Sequence, residues 1–532
     1  MYKFDSCRVY KHNIIEFSEK KYYLYIFTII FIGIFFRCFC FWNIPGGGEL
    51  HQDEAFAAYN AIALLSSGID PDGYSFPIYF SSWGSGMNAL ESYIMIPFFY
   101  IFGVSNITIR LPMLIFNICA LIIFYLICLE FCGRSRAIIA VFILSIMPWH
   151  IMASRWALES NLMPSMMLVS VYFLLKATKK NYFLLLSSCF FGISLYAYSA
   201  CWPIMPIFLF TCIVYMIKNN IIKINKIFII SLICFLFISM PLILFCLVNF
   251  GFINEFSILS ISIPKLSFFR SGDVDILDFF DHLKKTLTII FMQTDGKIHN
   301  SFIPYGTYYF ISIPFFIYGI IISILKSKKN KNNYIDLIMI LWFFVAFILG
   351  VLIDPDIVRI NIIHLPIIYF ISVGVHDFIF NENLLSYAKY SIIIVFIISV
   401  FCFYYDYITR INTMLSIDNN KGLKNALVYS KEKYANNDIY LYKIFYPKIL
   451  IDTKYDVVKF VQTVKYCDNN SKYRKAESFD GYKFIYDKND LKAISDNENI
   501  VIISSIKDIN DCSILFRQEK QFDYTIVFSN IK

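Results

Sequence analysis

The sequence predicts a polytopic α-helical membrane protein of about eleven transmembrane helices, followed by a small C-terminal α/β domain outside the cytoplasm. Three observations predict it. Hydrophobic residues fill 58% of the 532 positions and charged residues only 16%, against about 25% charged in ordinary soluble domains. The apolar residues gather in runs long enough to cross a bilayer. After Asp406 the pattern changes: residues 407–532 hold 36 of the 86 charged residues. Such a composition excludes a soluble globular enzyme, a disordered chain and a disulfide scaffold.

The first run covers about 22–42, behind Lys20 and Lys21. No small-residue cleavage site follows it, so it is expected to remain as an anchor. Further runs lie near 108–130, 136–152, 159–175, 182–200, 202–217, 227–248, 304–325, 335–353, 361–379 and 389–405. Basic clusters orient them. With Lys20 and Lys21 in the cytoplasm, the clusters at Arg134/Arg136, Lys176/Lys179/Lys180, Lys218/Lys223/Lys226 and Lys326/Lys328/Lys329/Lys331 fall on the same side. Acidic connections fall opposite: Glu49 to Asp72, Asp273 to Asp281, and Asp354 with Asp356. The N-terminus is thus expected in the cytoplasm and the C-terminal domain outside. Residues 89–103 (ALESYIMIPFFYIFG) are apolar but short, and a span there would invert every later cluster. They are expected to form an interfacial or re-entrant helix.

The chain thereby divides into a membrane domain, 1–406, and a soluble domain, 407–532. In the latter, 421–435 reads as an amphipathic helix. Segments 438–443, 498–505 and 523–529 read as strands. Two long loops interrupt the membrane domain, at 43–107 and 249–303, and long loops are more often functional than decorative. The net charge of +8 sits in the short clusters between apolar runs. That is a topology signal and no nucleic-acid footprint. Most of the fourteen cysteines lie inside apolar runs, with no C-x-x-C pair or metal spacing. Cys467 and Cys512 in the tail are either a disulfide or two free thiols.

Four places can carry chemistry. The first loop contains GGGELHQDEAFAAYNA, 46–61, with Asp53 and Glu54 adjacent and Tyr59 a turn and a half further on. The helix they open is expected to lie along the membrane surface and hold the acids at headgroup level. There a carboxylate can take a proton from an acceptor hydroxyl, or it can simply cap the helix. His150, Arg155 and Glu159 cluster at the end of the third run, as a site or as an interfacial salt bridge with Trp149 and Trp156. Arg359 and His364 stand where a late span begins. An arginine there binds an anion or snorkels; Arg37 has the same two readings. Asp295, Lys297 and His299 in the second loop can approach the site from above, or Asp295-Gly296 is only a turn.

No Walker-type phosphate loop, nucleophile elbow or zinc-protease motif is present in the sequence. No inverted repeat is evident, and few charges lie deep in the spans, which argues against an ion-coupled transporter.

The arrangement resembles the polyprenyl-phosphate-sugar-dependent glycosyltransferases of the GT-C fold, family 39, which includes protein O-mannosyltransferases and aminoarabinose transferases. The resemblance rests on Asp53-Glu54 after the first span, GVSNITIRLPMLIFN at 103–117, SRWALES at 154–160 and RINIIHLP at 359–366. It covers about residues 20–405. It implies a membrane-embedded transferase that moves a sugar from a polyprenyl-phosphate donor to an extracytoplasmic acceptor: protein, lipid or cell-wall glycan. Asp53 would be the general base, Glu54 its neighbour and Glu159 the second acid, orienting substrate or a divalent metal. Arg155 and Arg359 would lie near the donor phosphate, with His150, His364, Tyr59 and Asp295 as further substrate-binding candidates. Arg110 would be structural. No cofactor is required by the resemblance, and a divalent metal is possible within it. The family's His-Pro-Pro stretch is replaced here by WGSGMNALESY, 83–93. Three rivals stand beside this reading: a lipid-linked glycan ligase or polymerase, a lipid or glycan transporter, and a membrane scaffold that displays the tail.

Overall fold

A computed structural model describes residues 19–275, 277–329, 333–497 and 499–531. Lys331 and Glu498, which fall in segments read above, lie outside the described residues. The chain is a multi-pass helical bundle with a mixed β-sheet domain after it.

The elements run in this order. α1 (Glu19–Cys38) leads to the first long loop, which holds α2 (Gln52–Ser67), the short strands β1 (Tyr79–Phe80) and β2 (Met87–Asn88), and α3 (Leu90–Phe102). Then come α4 (Asn106–Cys132), α5 (Arg134–Ile146), α6 (Pro148–Ala153), α7 (Glu159–Ala177), α8 (Phe183–Ser194), α9 (Met205–Lys218) and α10 (Lys226–Asn249). The second long loop carries the hairpin β3 (Phe256–Ile258) and β4 (Ile261–Ile263), then α11 (Phe279–Phe291). α12 (Ile313–Lys329), α13 (Tyr334–Leu352), α14 (His364–Ile379) and α15 (Ser386–Asp406) complete the bundle.

Each of the eleven apolar runs falls on a helix. Seven stretches are long and apolar enough to cross a membrane among the described residues: Glu19–Cys38, Asn106–Cys132, Lys226–Asn249, Phe310–Lys329, Tyr334–Leu352, Asn361–Ile379 and Ser386–Lys433. The other runs fall short for local reasons. The third breaks at Met147, whose extended backbone separates α5 from α6, with Pro148 opening the new helix. α8 and α9 have only 12 and 14 residues. α7 is diluted by Glu159, Ser160, Asn161, Ser165 and Ser170 along its buried face.

Small residues set the closest helix crossing. A Cβ on Gly319 of α12 would meet the carbonyl oxygen of Phe370, and one on Gly374 of α14 would meet that of Phe315. With no hydrophobic drive between helices in lipid, such close backbone approach provides the packing. Buried arginines staple α1. Arg37 donates to the carbonyls of Gly33, Leu144 and Ser145, and shares its Nη2 and Nε with Nδ1 of His150.

The soluble domain follows α15 without a break in helix. A π-turn (Tyr407–Ile411) passes into α16 (Asn412–Asp418) and α17 (Leu423–Lys433). Next come β5 (Ile439–Tyr442), α18 (Tyr446–Asp452), α19 (Val457–Thr463), β6 (Lys465–Tyr466), β7 (Ala476–Phe479), β8 (Tyr482–Ile485) and α20 (Lys488–Ser495). β9 (Val501–Ser505), α21 (Ile509–Ser513), β10 (Arg517–Phe522) and β11 (Thr525–Ser529) end the chain. Seven strands form one sheet in the order β10-β11-β9-β5-β8-β7-β6, with β5 parallel to β8 and β9. The three strands expected from sequence are its centre-side members β5, β9 and β11, where apolar residues alternate or run on. β10 (RQEKQF) is a charged edge strand, the usual guard against edge-to-edge pairing. Cys467 and Cys512 are both free thiols.

α2 is more deeply covered than an open surface helix would be. Its residues Ala55 to Ala61 are all buried, and they form one apolar core with Leu423, Leu427, Tyr446, Leu450 and Phe460 of the soluble domain. The alanines on several sides of α2 leave no wide polar face to meet water, so it is packed all round.

The glycine crossing gives a test. Gly319→Leu is expected to cost about 1–3 kcal/mol through overpacking, read as a lower midpoint of thermal unfolding in detergent. An unchanged midpoint would mean α12 and α14 do not meet this closely.

Candidate functional site

The site begins at the capping of α2. His51 is the N-cap; its Nδ1 accepts from the Asp53 backbone N–H, and the Glu54 carboxylate accepts from the His51 N–H. This capping box fixes where the helix starts. Glu54 then turns inward. Its oxygens accept Arg110 Nε and Nη2, both at 3.0 Å, and the Ala157 N–H at 2.9 Å. Neither side chain of the pair is exposed. The remaining Arg110 donors reach the carbonyls of Phe41, Trp42, Pro45 and Glu49. Arg110 is therefore a structural clamp, as the resemblance implies.

Asp53 points elsewhere. Its side chain is 40% exposed, Oδ1 accepts the indole N–H of Trp83 at 3.1 Å, and Oδ2 lies 3.6 Å from His51 Nδ1. Glu159, at the start of α7, receives the backbone N–H and the side-chain amide of Asn88. Glu159 lies within electrostatic reach of Asp53 and of Arg270. Tyr198 lies within reach of both Glu159 and Arg359, and Tyr79 within reach of Glu159 and Arg270. Acids from the first loop and α7 and two arginines from later segments thus gather around the tyrosines.

Arg359 is held by its own loop. Its N–H donates to Asp356 Oδ1 at 2.7 Å and its Nη1 to the Asp354 carbonyl at 3.0 Å. Arg270 donates Nη2 to Ser85 Oγ at 2.6 Å and stacks on Tyr473 of the soluble domain, 5.2 Å from the ring centre. Its buried Nε has no acceptor among the described residues. Arginine donors left open in this way suit a planar oxyanion.

Several sequence candidates are not brought to this group. Arg155 is fully buried and spends its guanidinium on the carbonyls of Phe36, Phe39 and Ile44 and on Tyr404 Oη, over the Tyr404 and Tyr407 rings. It ties off the end of α1, whose last carbonyls have no helical partner. His150 is likewise buried against Arg37. His364 is buried between Tyr308 Oη and the Ile357 carbonyl. Tyr59 donates to the Tyr455 carbonyl and docks the soluble domain on α2. Asp295 organises the second loop: it accepts from Lys297 N, Asn300 Nδ2 and Ile357 N.

Other residues belong here that sequence reasoning passed over. Glu91 in α3 is buried, and neither carboxyl oxygen has a hydrogen-bond partner among the described residues. Burial first, then the charges of Glu159, Glu54 and Asp53, push its carboxyl well above the usual carboxylate range. A lone acid in the apolar stretch 89–103 was the available signal. His299 stacks near His51, with ring centres 5.5 Å apart. Burial, then His51 and Lys297, bring its imidazole down to about 4, so it is neutral at physiological pH. Arg270 and Trp83 had no signal beyond residue type.

An apolar groove of about 500 Å³ adjoins the acids. Ala89 and Leu90, next to Asn88, form one wall; Tyr93, Tyr196 and the β3–β4 turn at Leu259 and Ile261 form the others. Among the described residues no three His, Cys, Asp or Glu side chains are placed to hold a metal ion.

Comparison with known proteins bears on the fold. Residues 90–244 match the family model described as dolichyl-phosphate-mannose-protein mannosyltransferase. No curated protein matches the chain by sequence. Among solved structures, ArnT from Cupriavidus metallidurans in the apo state is 9% identical, with a TM-score of 0.52 over 95% of this chain and 97% of that one. The same protein bound to undecaprenyl phosphate gives 8% identity and a TM-score of 0.52, over 96% and 98%. The Archaeoglobus fulgidus oligosaccharyltransferase, in complex with Zn and sulfate, gives 13% identity and 0.55, over 95% and 73%. The chain therefore shares its overall fold with ArnT and with the archaeal oligosaccharyltransferase.

The clamp predicts a stability signature. Arg110→Met or Glu54→Leu alone leaves one buried charge unpaired and is expected to cost about 3–5 kcal/mol. The double variant, which buries no charge, should recover part of that loss. Thermal unfolding of the purified protein reads both.

Proposed function

We propose that this chain is an inverting glycosyltransferase that moves one sugar from a polyprenyl-phosphate donor to an acceptor hydroxyl on the outer face of the membrane. The observation that carries the reading is the contrast among four neighbouring acids. Glu54 is locked to Arg110, Glu159 is held by Asn88 and Glu91 is sealed, with its carboxyl pushed up by burial, while Asp53 keeps an accessible side chain. A general base must be reachable by the acceptor, and the partly exposed side chain of Asp53 meets that need.

In this reading Asp53 removes the acceptor proton as the acceptor oxygen bonds to the anomeric carbon. The anomeric C–O bond breaks on the opposite face and the polyprenyl phosphate leaves as an anion. The sugar passes through an oxocarbenium-like state, as in other glycosyl transfers. Arg359 and Arg270 stabilise the charge that grows on the leaving phosphate, where preorganised donors have their largest effect. Glu159, held by Asn88, orients the sugar. The apolar groove beside Leu90 receives the start of the prenyl chain. The activated donor makes a nucleotide unnecessary, in keeping with a sequence that has no phosphate loop.

The name of one structural neighbour, ArnT bound to undecaprenyl phosphate, supports the donor class, and the mannosyltransferase family match supports a lipid-phosphate sugar. The same geometry does not favour a transporter, which has no use for a single accessible base beside anion-ready arginines.

The test is incubation of the purified protein with a panel of polyprenyl-phosphate sugars, with sugar release or transfer as the readout. Asp53→Asn should lower turnover by about 10²–10⁴-fold while donor still binds. A transporter would give no covalent product with either protein. Arg359→Ala and Arg270→Ala should each lower kcat/KM for the donor by about 10²-fold, the effect of losing one donor to a developing oxyanion. Unchanged donor kinetics in both would remove the arginines from the phosphate.

A further inference from the structure

Trp83 stands in a strained backbone. Its φ is 60°, in the left-handed region, and Gly84 follows at φ +76°. A bulky residue held there costs about 1–3 kcal/mol and persists only where its surroundings fix it. Those surroundings come largely from the soluble domain. Arg474 donates its backbone N–H to the Trp83 carbonyl at 2.7 Å. Phe445 and Tyr446 set their edges against the indole, with ring centres 6.0 and 5.6 Å away, and Phe56 of α2 closes the other side at 5.1 Å. Gly84 leaves no room for a side chain: a Cβ there would sit 3.0 Å from Arg474 Cβ.

The loop that does this, between β6 and β7, also grips both long loops of the membrane domain. Arg474 pairs with Asp72, and Asp72 accepts from Ser81 at 2.6 Å. Lys472 pairs with Asp273 at 2.6 Å. The indole N–H that this frame aims is the one on Asp53 Oδ1.

We propose that Trp83 is the positioning residue for the Asp53 base, and that the β6–β7 loop of the soluble domain holds it in place. The soluble domain is thus part of the reaction chamber. Nothing in the motif comparison assigned a role to WGSGMNALESY, which replaces the family's His-Pro-Pro stretch. This inference supplies one, and it rests on Asp53 being the base.

The physical effect is twofold. The indole N–H favours the ionised carboxylate, and it fixes which oxygen faces the acceptor, since the other oxygen remains free of Trp83. Titratable and charged groups face Asp53 from several elements. These are His51 on the same helix start, Glu54 paired with Arg110, Glu91 from α3, Glu159 from α7, and Lys448 beside Glu49 from the soluble domain. His299 sits beyond His51.

Trp83→Phe keeps an aromatic ring among Phe56, Phe445 and Tyr446 and removes only the N–H donor. It is expected to lower kcat by about tenfold, leave the donor KM in place, and move the acid limb of the kcat profile up by about one pH unit. Arg474→Ala in the full-length chain, which breaks the Asp72 pair, should move the same limb in the same direction. Added to Trp83→Phe it should move the limb no further, because both act through one hydrogen bond. An unmoved limb in Trp83→Phe, with Asp53→Asn inactive, overturns the positioning role and leaves the base standing. Full additivity of the two substitutions overturns the route through the loop. An active Asp53→Asn overturns the base itself, and this inference with it.

Discussion

Much of the molecule depends on one buried ion pair. Taking a carboxylate and a guanidinium out of water costs several kcal/mol each, and only complete hydrogen bonding offsets that cost. Arg110 and Glu54 achieve it by drawing four separate pieces of chain to themselves: the end of α1 through its following carbonyls, the start of α2, the middle of the α4 opening turn, and the link into α7 at Ala157. Successive helical residues point about 100° apart. Once Glu54 is turned inward, Asp53 must face another way, and that way is toward the cleft.

The other buried arginines follow the same logic with carbonyls in place of a carboxylate. Arg155 satisfies the carbonyl end of α1, where helical partners run out and the dipole favours cations, and Arg37 joins Gly33 of α1 to Leu144 and Ser145 of α5. Arg270 differs: among the described residues its buried Nε has no acceptor. Burial and wiring, rather than residue type, distinguish the arginines of this fold.

The class of fold was readable because bilayer thickness imposes a run length and because charge sorts across it. Asp53, Glu159 and Arg359 were legible as candidates, since polar groups beside spans are costly and few. What stayed hidden was which partner each would find. His150, His364 and Arg155 looked like Arg359 in sequence, yet each meets a carbonyl, a tyrosine or another side chain from a helix distant in the chain. The pairings of His150 and Arg155 join residues more than 100 positions apart and that of His364 with Tyr308 spans 56, and no local pattern encodes them. Glu91 was masked by the apolar stretch around it, and Trp83 by a segment that departs from the family pattern. The burial of α2 was hidden because part of it comes from residues more than 350 positions later.

That shared burial has a consequence for how such proteins can change. Phe56, Tyr59 and Trp83 from the bundle and Leu427, Tyr446 and Phe460 from the tail constitute a single greasy interior, and the helix of the last span continues to Asp418, one turn short of it. The tail is therefore no interchangeable attachment. Recombination that brought in a foreign C-terminus would strip the cover from those aromatics, so the two halves of the gene are expected to drift together, each accepting changes only as the other accommodates them.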